Sequence, residues 1–444
     1  MYRFSEPDEN QLEIFEQSLP FEGTLNRKNR WIQLAGLVNW RELEAVYAKT
    51  FSGTGRPGVR ARYVIGSLII KHILECSDEE VCLHISENPY MQFFVGFPRF
   101  RCDVPYDPST LTNVRKRLSK EQFDAFEQEL IGMLTAKKLI HPKGMLTDAT
   151  VFQSEITYPT DCGLLYKAQT FCVAHIKRLG SALGHRVRTY CRVAHKSYLE
   201  FSKKRRKTTQ DVRKMHKLML GYVRRNIGHL DILITEAKER GMTIPKRVHA
   251  TFQTIKTIYD QQKQMYKNKA KSISDRIVSI HKPYVRPIVR GKTNKEVEFG
   301  VKASLRHVDG YLFADHISFD NYHEGTKLVN SIERFEQAFG KKPAYVSMDT
   351  IYGSRENRAY LKEQMIRTSV KPLGRPKKDS TTRYEKQWRR QKQKERSHIE
   401  GAIGNSKTAY ALGLVRAKTE KTEYSWIRFA LMSRNLALGG RRIQ

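Results

Sequence analysis

Strand-forming sequence occurs in two blocks separated by more than a hundred residues, and that separation restricts the folds open to this chain. The first block is MLTDATVFQSEITY (145–158), stopped by Pro159. The second starts near residue 285. One sheet built from both must carry a large excursion after its first strand. The excursion, 161–275, has helical periodicity: Leu164, Leu165, Ala168, Phe171, Cys172, Ile176 and Leu179 form one stripe. Met215, Leu218, Met219, Val223, Ile227 and Leu230 form another.

In the second block EVEFGVKASL alternates, setting Val297, Phe299, Val301, Ala303 and Leu305 on one side. Asp309-Gly310 turns it into YLFADHIS, its hairpin partner. A helix over 324–339 ends at Gly340. KPAYVSM then predicts a short strand with Ala344, Val346 and Met348 inward. A helix from Ser354 to Glu363 and a strand from Ile366 to Val370 follow. Residues 371–395 read as a basic, Pro-containing connector, and a helix starts at Arg396. The expected fold class is an α/β mixed-sheet core, 145–435, interrupted by a helical insertion and preceded by an all-helical amino-terminal domain.

Residues 1–54 are short amphipathic pieces. A compact helical unit over 55–135 follows, with Val64, Ile65, Leu68, Ile69, Ile73 and Leu74 striped along one helix. Ser77-Asp-Glu-Glu80 predicts a capping box. Asp107-Pro108-Ser109 opens a third helix that mixes Leu111, Val114 and Leu118 with basic Arg115, Lys116 and Arg117. DNA contact and dimerisation are both open to this unit.

Charge narrows the partner. Lys and Arg number 80 against 46 Asp and Glu, a formal charge of +34. Such self-repulsion is relieved by a polyanion, and counterion release favours DNA. The run Lys203, Lys204, Arg205, Arg206, Lys207 is a candidate phosphate contact, as are Arg115, Lys116 and Arg117. No apolar run is long enough to cross a bilayer, and the first residues lack a signal-type apolar stretch, so a cytoplasmic protein without membrane contact is expected. Six scattered Cys with no C-x-x-C pair read as small buried hydrophobes rather than a zinc site.

Three acids stand where chemistry could use them. Asp148 lies in the first strand, Asp349 directly follows the strand AYVSM, and Glu400 lies in ERSHIEGAIGNSK. Ligands in open α/β sheets bind beyond the carboxyl ends of strands, which supports Asp349. Arg396, Glu400 and Lys407 share one helical face, with Ile399 and Ile403 beside it to dock the helix on the sheet. Three carboxylates on rigid elements could hold two magnesium ions, with manganese able to substitute. Arg396 could grip a phosphate through its fork and Lys407 as a point charge.

These motifs resemble bacterial insertion-sequence transposases of the IS4/IS5-like group, members of the DDE superfamily. TDATVFQSEITYPTD resembles the surroundings of the first acid in that group, and GKTNKEVEFGVKASL the approach to the second strand. SMDTIYGSRENRAYL resembles the second-acid motif, with Asp349, Tyr352, Gly353 and Asn357 in register. RSHIEGAIGNSK matches an Arg-x3-Glu-x6-Lys signature at Arg396, Glu400 and Lys407. The resemblance spans about 55–435 and implies an RNase H-like core with Asp148, Asp349 and Glu400 as catalytic, metal-binding residues. It also implies cutting and rejoining of double-stranded DNA at terminal inverted repeats, in a homodimeric synaptic complex. Tyr352 and Asn357 would support phosphate contacts. One departure is Gln393, where the signature commonly has Tyr; Tyr384 and Trp388 lie nearby. The rival readings are a non-transposing or inactive DNA-binding descendant and a structural DNA-binding protein.

Overall fold

A computed structural model describes residues 1–4, 11–19, 23–52, 54–55, 57–292, 295–374 and 382–443. The chain forms two compact units, Met1–Ser154 with Val301–Gln444, and Glu155–Gly300.

The first unit opens with eight helices: α1 (Gln11–Glu16), α2 (Arg30–Leu37), α3 (Trp40–Ala48), α4 (Ala61–Leu74), α5 (Asp78–Glu87), α6 (Pro89–Val95), α7 (Ser109–Arg117) and α8 (Lys120–Ala136). Local signals set their ends. Ser77 and Glu80 exchange the reciprocal bonds of a capping box at the start of α5. Asn88 caps α6, Pro89 occupies its first turn, and Gly96 stops it in the left-handed region (φ 81°). A Cβ at Gly96 would come within 2.6 Å of Arg62 Cδ, whose guanidinium bonds the carbonyls of Phe93 and Phe94.

The sheet has strands β1 (Met145–Gln153), β2 (Arg286–Lys292), β3 (Lys295–Val308), β4 (Tyr311–Ser318), β5 (Tyr345–Ser347) and β6 (Arg367–Thr368). In the first unit β3, β1, β5 and β6 lie side by side in that order, with β4 also on β3. The sheet is mixed: β1, β5 and β6 pair in parallel, whereas β3 and β4 are antiparallel. Asp309 (φ 47°) and Gly310 (φ 88°) both sit in the left-handed region, as a two-residue hairpin turn requires. Val346 and Met348 are buried, while Ala344, expected inward, precedes the strand and is exposed.

Later helices flank this sheet. The expected helix over 324–339 is a 3-10 turn at Glu324–Lys327 leading into α13 (Leu328–Phe339), ended by Gly340 at φ 68°. We number the four helices of the second unit α9 to α12. Then come α14 (Arg355–Glu363), α15 (Arg383–Glu395), α16 (Ser397–Ala409) and α17 (Glu420–Ile443). The second half of the connector segment is therefore the helix α15, and residues 375–381 lie outside the described residues. α17 is buried almost all round, from Thr422 to Gly440. Its Phe429, Met432 and Leu436 share a core with the amino-terminal helices, and its Ile427, Ala430 and Leu431 share one with Leu305, Leu312 and Ala314 of the sheet.

A buried ion network joins α8, β3, β4, α13 and α17. Arg428 reaches Asp124 (2.8 Å) and Glu127 (3.3 Å), and Arg334 reaches Asp124 (2.9 Å). Arg306 lies 3.6 Å from Glu127 and 3.4 Å from Asp315. Burial pushes the Asp315 carboxyl up to about 6, against the opposing pull of Arg306. A folded-state value above the ordinary 3.8 means the protonated form stabilises the fold, so this contribution is complete below pH 3.8 and is lost as pH rises towards about 6. Asp315→Asn is expected to flatten the dependence of stability on pH across that window, as urea titrations from pH 4 to 7 would show.

In the second unit α9 (Asp161–Leu183), α10 (Cys191–Lys203), α11 (Thr209–Glu239) and α12 (Lys246–Asn268) enclose their own core, including Leu165, Cys172, Ile176, Met219, Val223, Leu230 and Ile255. Thr160 caps α9, and Asp161 accepts bonds from Gln262 (2.8 Å) and Arg276 (2.6 Å). The chain then forms β2, paired antiparallel with the first half of β3. Val301 carries β3 on into the first unit, where it and its alternate neighbours Ala303 and Leu305 are fully buried.

Candidate active site

Asp148 is the fourth residue of β1, on the parallel neighbour of β5. The observed register pairs Met145 with Val346 and Leu146 with Ser347. Continued beyond these two pairs, that register would bring Asp349, two residues past β5, opposite Asp148. Asp349 is extended (φ −75°, ψ 161°) and caps the 3-10 turn Thr350–Tyr352, accepting from Thr350 N at 2.6 Å.

Glu400 comes from α16, which docks through buried Ile399, Ala402 and Ile403 on Leu146 and Phe152 of β1. Arg396, at the junction of α15 and α16, connects helix and strand. One of its nitrogens lies 2.8 Å from Glu400 Oε1, and the other 3.7 Å from Asp148 Oδ2. The Glu400 side chain is 54% exposed and that of Asp148 18%, so the carboxylates lie at the edge of the core, open to a substrate. Lys407 sits two turns along α16, its Nζ 5.8 Å from the Phe152 ring. Among the described residues no group of three or more His, Cys, Asp or Glu is drawn together closely enough to hold a metal ion.

Tyr352 and Asn357 act inside the protein. Tyr352 is fully buried, and its hydroxyl lies beside that of Thr147, neither forming a well-shaped hydrogen bond. Burial first, then the nearby carboxylates of Glu324 and Asp148, hold the phenol far above its ordinary range. Asn357 Nδ2 donates to the carbonyls of Gly325 and Tyr352, each at 2.8 Å, and so ties the 324–327 turn to the turn that follows Asp349. The two turns touch at Gly325, where a Cβ would lie 2.9 Å from Ile351 O.

Sequence reasoning missed a second polar layer there. Lys302, buried on β3, pairs with Glu324 (3.1 Å) and donates to Tyr322 O (2.8 Å), while the hydroxyls of Tyr322 and Ser304 bond at 2.8 Å. The only trace in the sequence was a carboxylate before a glycine in YHEG, indistinguishable from any surface turn. At the departure from the signature, Gln393 accepts from the Ser369 hydroxyl (3.1 Å). Trp388 stacks under the Arg367 guanidinium (3.9 Å) and edges on to Tyr345, whereas Tyr384 is 67% exposed.

The proposed DNA contacts divide. Arg115 is buried and forks on to Asp78, and Arg117 lies over the Phe51 ring at 4.0 Å; Lys116 is exposed. In the second unit Lys203 to Lys207 are all exposed at the end of α10. Lys204 there pairs with Asp211 (2.8 Å), and Lys207 caps the helix by donating to Ser202 O and Lys204 O.

Known proteins match both ends of the first unit. Residues 19–117 match the family described as transposase domain (DUF772), and residues 346–437 that described as transposase DDE domain. The chain is 30% identical over 198 residues to a protein of Rhizobium meliloti described as "Uncharacterized protein ORF8 in nfe locus", which covers 44% of this chain and 93% of that protein. No solved structure matches it. No helix among the described residues is long and apolar enough to cross a membrane.

Proposed function

The chain belongs to the transposase family, and from that premise we propose that it hydrolyses and rejoins phosphodiester bonds at the ends of an insertion sequence, using Asp148, Asp349 and Glu400 on an RNase H-like core. One observation carries the reading. Arg396 lies near both Asp148 and Glu400, so the strand acid and the helix acid of the signature share a basic neighbour, and the β1–β5 register continued beyond its two pairs would bring Asp349 opposite Asp148.

The donor set fits magnesium, being three carboxylates without sulfur or imidazole. Asp148, Asp349 and Glu400, which are not drawn together in this structure, would converge to hold two such ions, which when bound would acidify the attacking water or 3′-hydroxyl and offset charge on the leaving oxygen. The chain's own residues do the rest. Arg396 exchanges its carboxylate contacts for a substrate phosphate, which its planar fork matches in two bonds. Lys407, on the same helix, adds a point charge to the flanking phosphate. Asn357 and buried Tyr352 keep the turn after Asp349 fixed, so that its carboxylate is positioned before substrate arrives. Water and a 3′-hydroxyl are equivalent nucleophiles here, so one site serves both cutting and joining. Two element ends must be processed together, which calls for at least a homodimer on double-stranded DNA.

The test is full-length protein with a duplex carrying the ends of its element. Nicks that expose 3′-hydroxyls should form with magnesium or manganese and vanish in EDTA. Cleavage that persists in EDTA, or DNA bound in magnesium without any cut, overturns the reading.

A further inference from the structure

Within the first unit a cleft of about 630 Å³ opens where α4, α5 and α7 face the segment that follows α16. Lys407 lines it. That residue is seven positions beyond Glu400 on one helix, about 10 Å along the axis. The cleft therefore begins within two nucleotides' reach of the carboxylate site.

Its walls look electrically mixed, with Glu75, Asp78, Glu79 and Glu80 among the lining residues. Three of those acids are already engaged. Asp78 lies between Lys71 (3.1 Å) and Arg115, both cations almost fully buried. Glu75 accepts from Ala411 N (3.1 Å), and Glu80 closes the capping box on Ser77. Three bases are not engaged: Lys116 on α7, and Arg416 and Lys418 across the cleft, are exposed and make no ion pair among the described residues. Buried Lys71 and Arg115 share Asp78, and over the whole lining six Lys and Arg outnumber four Asp and Glu, a positive balance that an incoming anion would offset. Leu414 (39% exposed) and the Trp426 ring add apolar surface beside these charges. A strand of DNA presents the complementary pair, phosphates on one edge and sugar or base faces on the other.

We propose that this cleft seats the DNA strand adjoining the phosphodiester to be cut, so that the amino-terminal helices grip the substrate of the carboxylate site. This rests on the transposase reading and assigns those helices to substrate binding. Arg416 and Lys418 are then phosphate contacts, and Lys116 faces them across the cleft.

The double substitution Arg416→Glu, Lys418→Glu in the full chain tests this, with a fluorescent 20-nucleotide single-stranded oligonucleotide as probe. Affinity at 0.1 M salt should fall about tenfold, and the slope of log affinity against log salt should drop by about 1.4, since each single-strand phosphate contact contributes about 0.7. Lys137→Glu, Lys138→Glu makes the same change in net charge outside the cleft, at two exposed lysines, and should leave that slope unchanged. Equal effects from the two double variants overturn the proposal. The outcome separates from that of the transposase reading. If Asp148→Asn left cleavage intact, the carboxylate chemistry would fall while the cleft variants still reported on binding.

Discussion

Asp148→Asn should lower strand cleavage by about a thousandfold or more while DNA affinity is undiminished. The substitution keeps the shape of the side chain and removes one of the three proposed anionic donors. Charge stabilisation by such a site amounts to several kcal/mol, and about 1.4 kcal/mol is tenfold in rate. Binding should hold because the substitution removes a negative charge near the proposed phosphate position and leaves Arg396, which lies 3.7 Å from Asp148, free to turn to the phosphate. Gel separation of nicked from intact duplex, beside a binding titration on the same preparation, reads both quantities. A variant that cuts within tenfold of the parent would remove Asp148 from the chemistry.

The largest effect on stability is expected from Arg428→Ala. This guanidinium is buried in α17 and satisfies Asp124, Glu127 and the Phe123 carbonyl of α8. Removing one member of a buried ion set costs about 3–5 kcal/mol, because the remaining charges lose compensation without regaining water. The lower end applies here, since Arg334 still serves Asp124 and Arg306 still lies near Glu127. All four tryptophans (Trp31, Trp40, Trp388 and Trp426) belong to the first unit, so urea titration followed by their fluorescence reports that unit alone. A loss below about 1 kcal/mol would mean that water reaches these carboxylates readily.

What the sequence made legible was local. The Ser77–Glu80 box, the Asp309-Gly310 turn and the stop at Gly340 each depend on a few adjacent residues, and each stands where its chemistry predicts. The alternation in β3 marked Val301, Ala303 and Leu305 as inward correctly but was silent about the other face. There Lys302, Ser304 and Arg306 are also buried, because their partners Glu324, Tyr322, Asp315 and Glu127 arrive from distant elements. Arg115 illustrates the same limit: within 115–117 it resembles surface charge, and only the approach of α5 gives it Asp78. Strand character was expected from near 285, but β2 was not separated from β3 because RPIVRGK carries two aliphatic residues among basic ones, too few to show a period. At the carboxylate site, the three acids and the Arg396–Glu400 spacing could be read from sequence. The arginine bridge to Asp148 and the layer behind Tyr352 required the fold.

The position of α17 has a bearing on how the protein is made. It fills space between the amino-terminal helices and the sheet, and Asn435 bonds both the N–H and the carbonyl of Leu312 in β4. As the chain leaves the ribosome, residues 11–136 can coil into helices but lack the wedge that completes their core. Residues 155–300 own a contiguous core and can close while the rest is still being translated. The carboxylate strand β1, synthesised before them, stays unfinished until its partners arrive well over a hundred residues later. A nascent chain thus completes the core of the first unit only once α17 emerges.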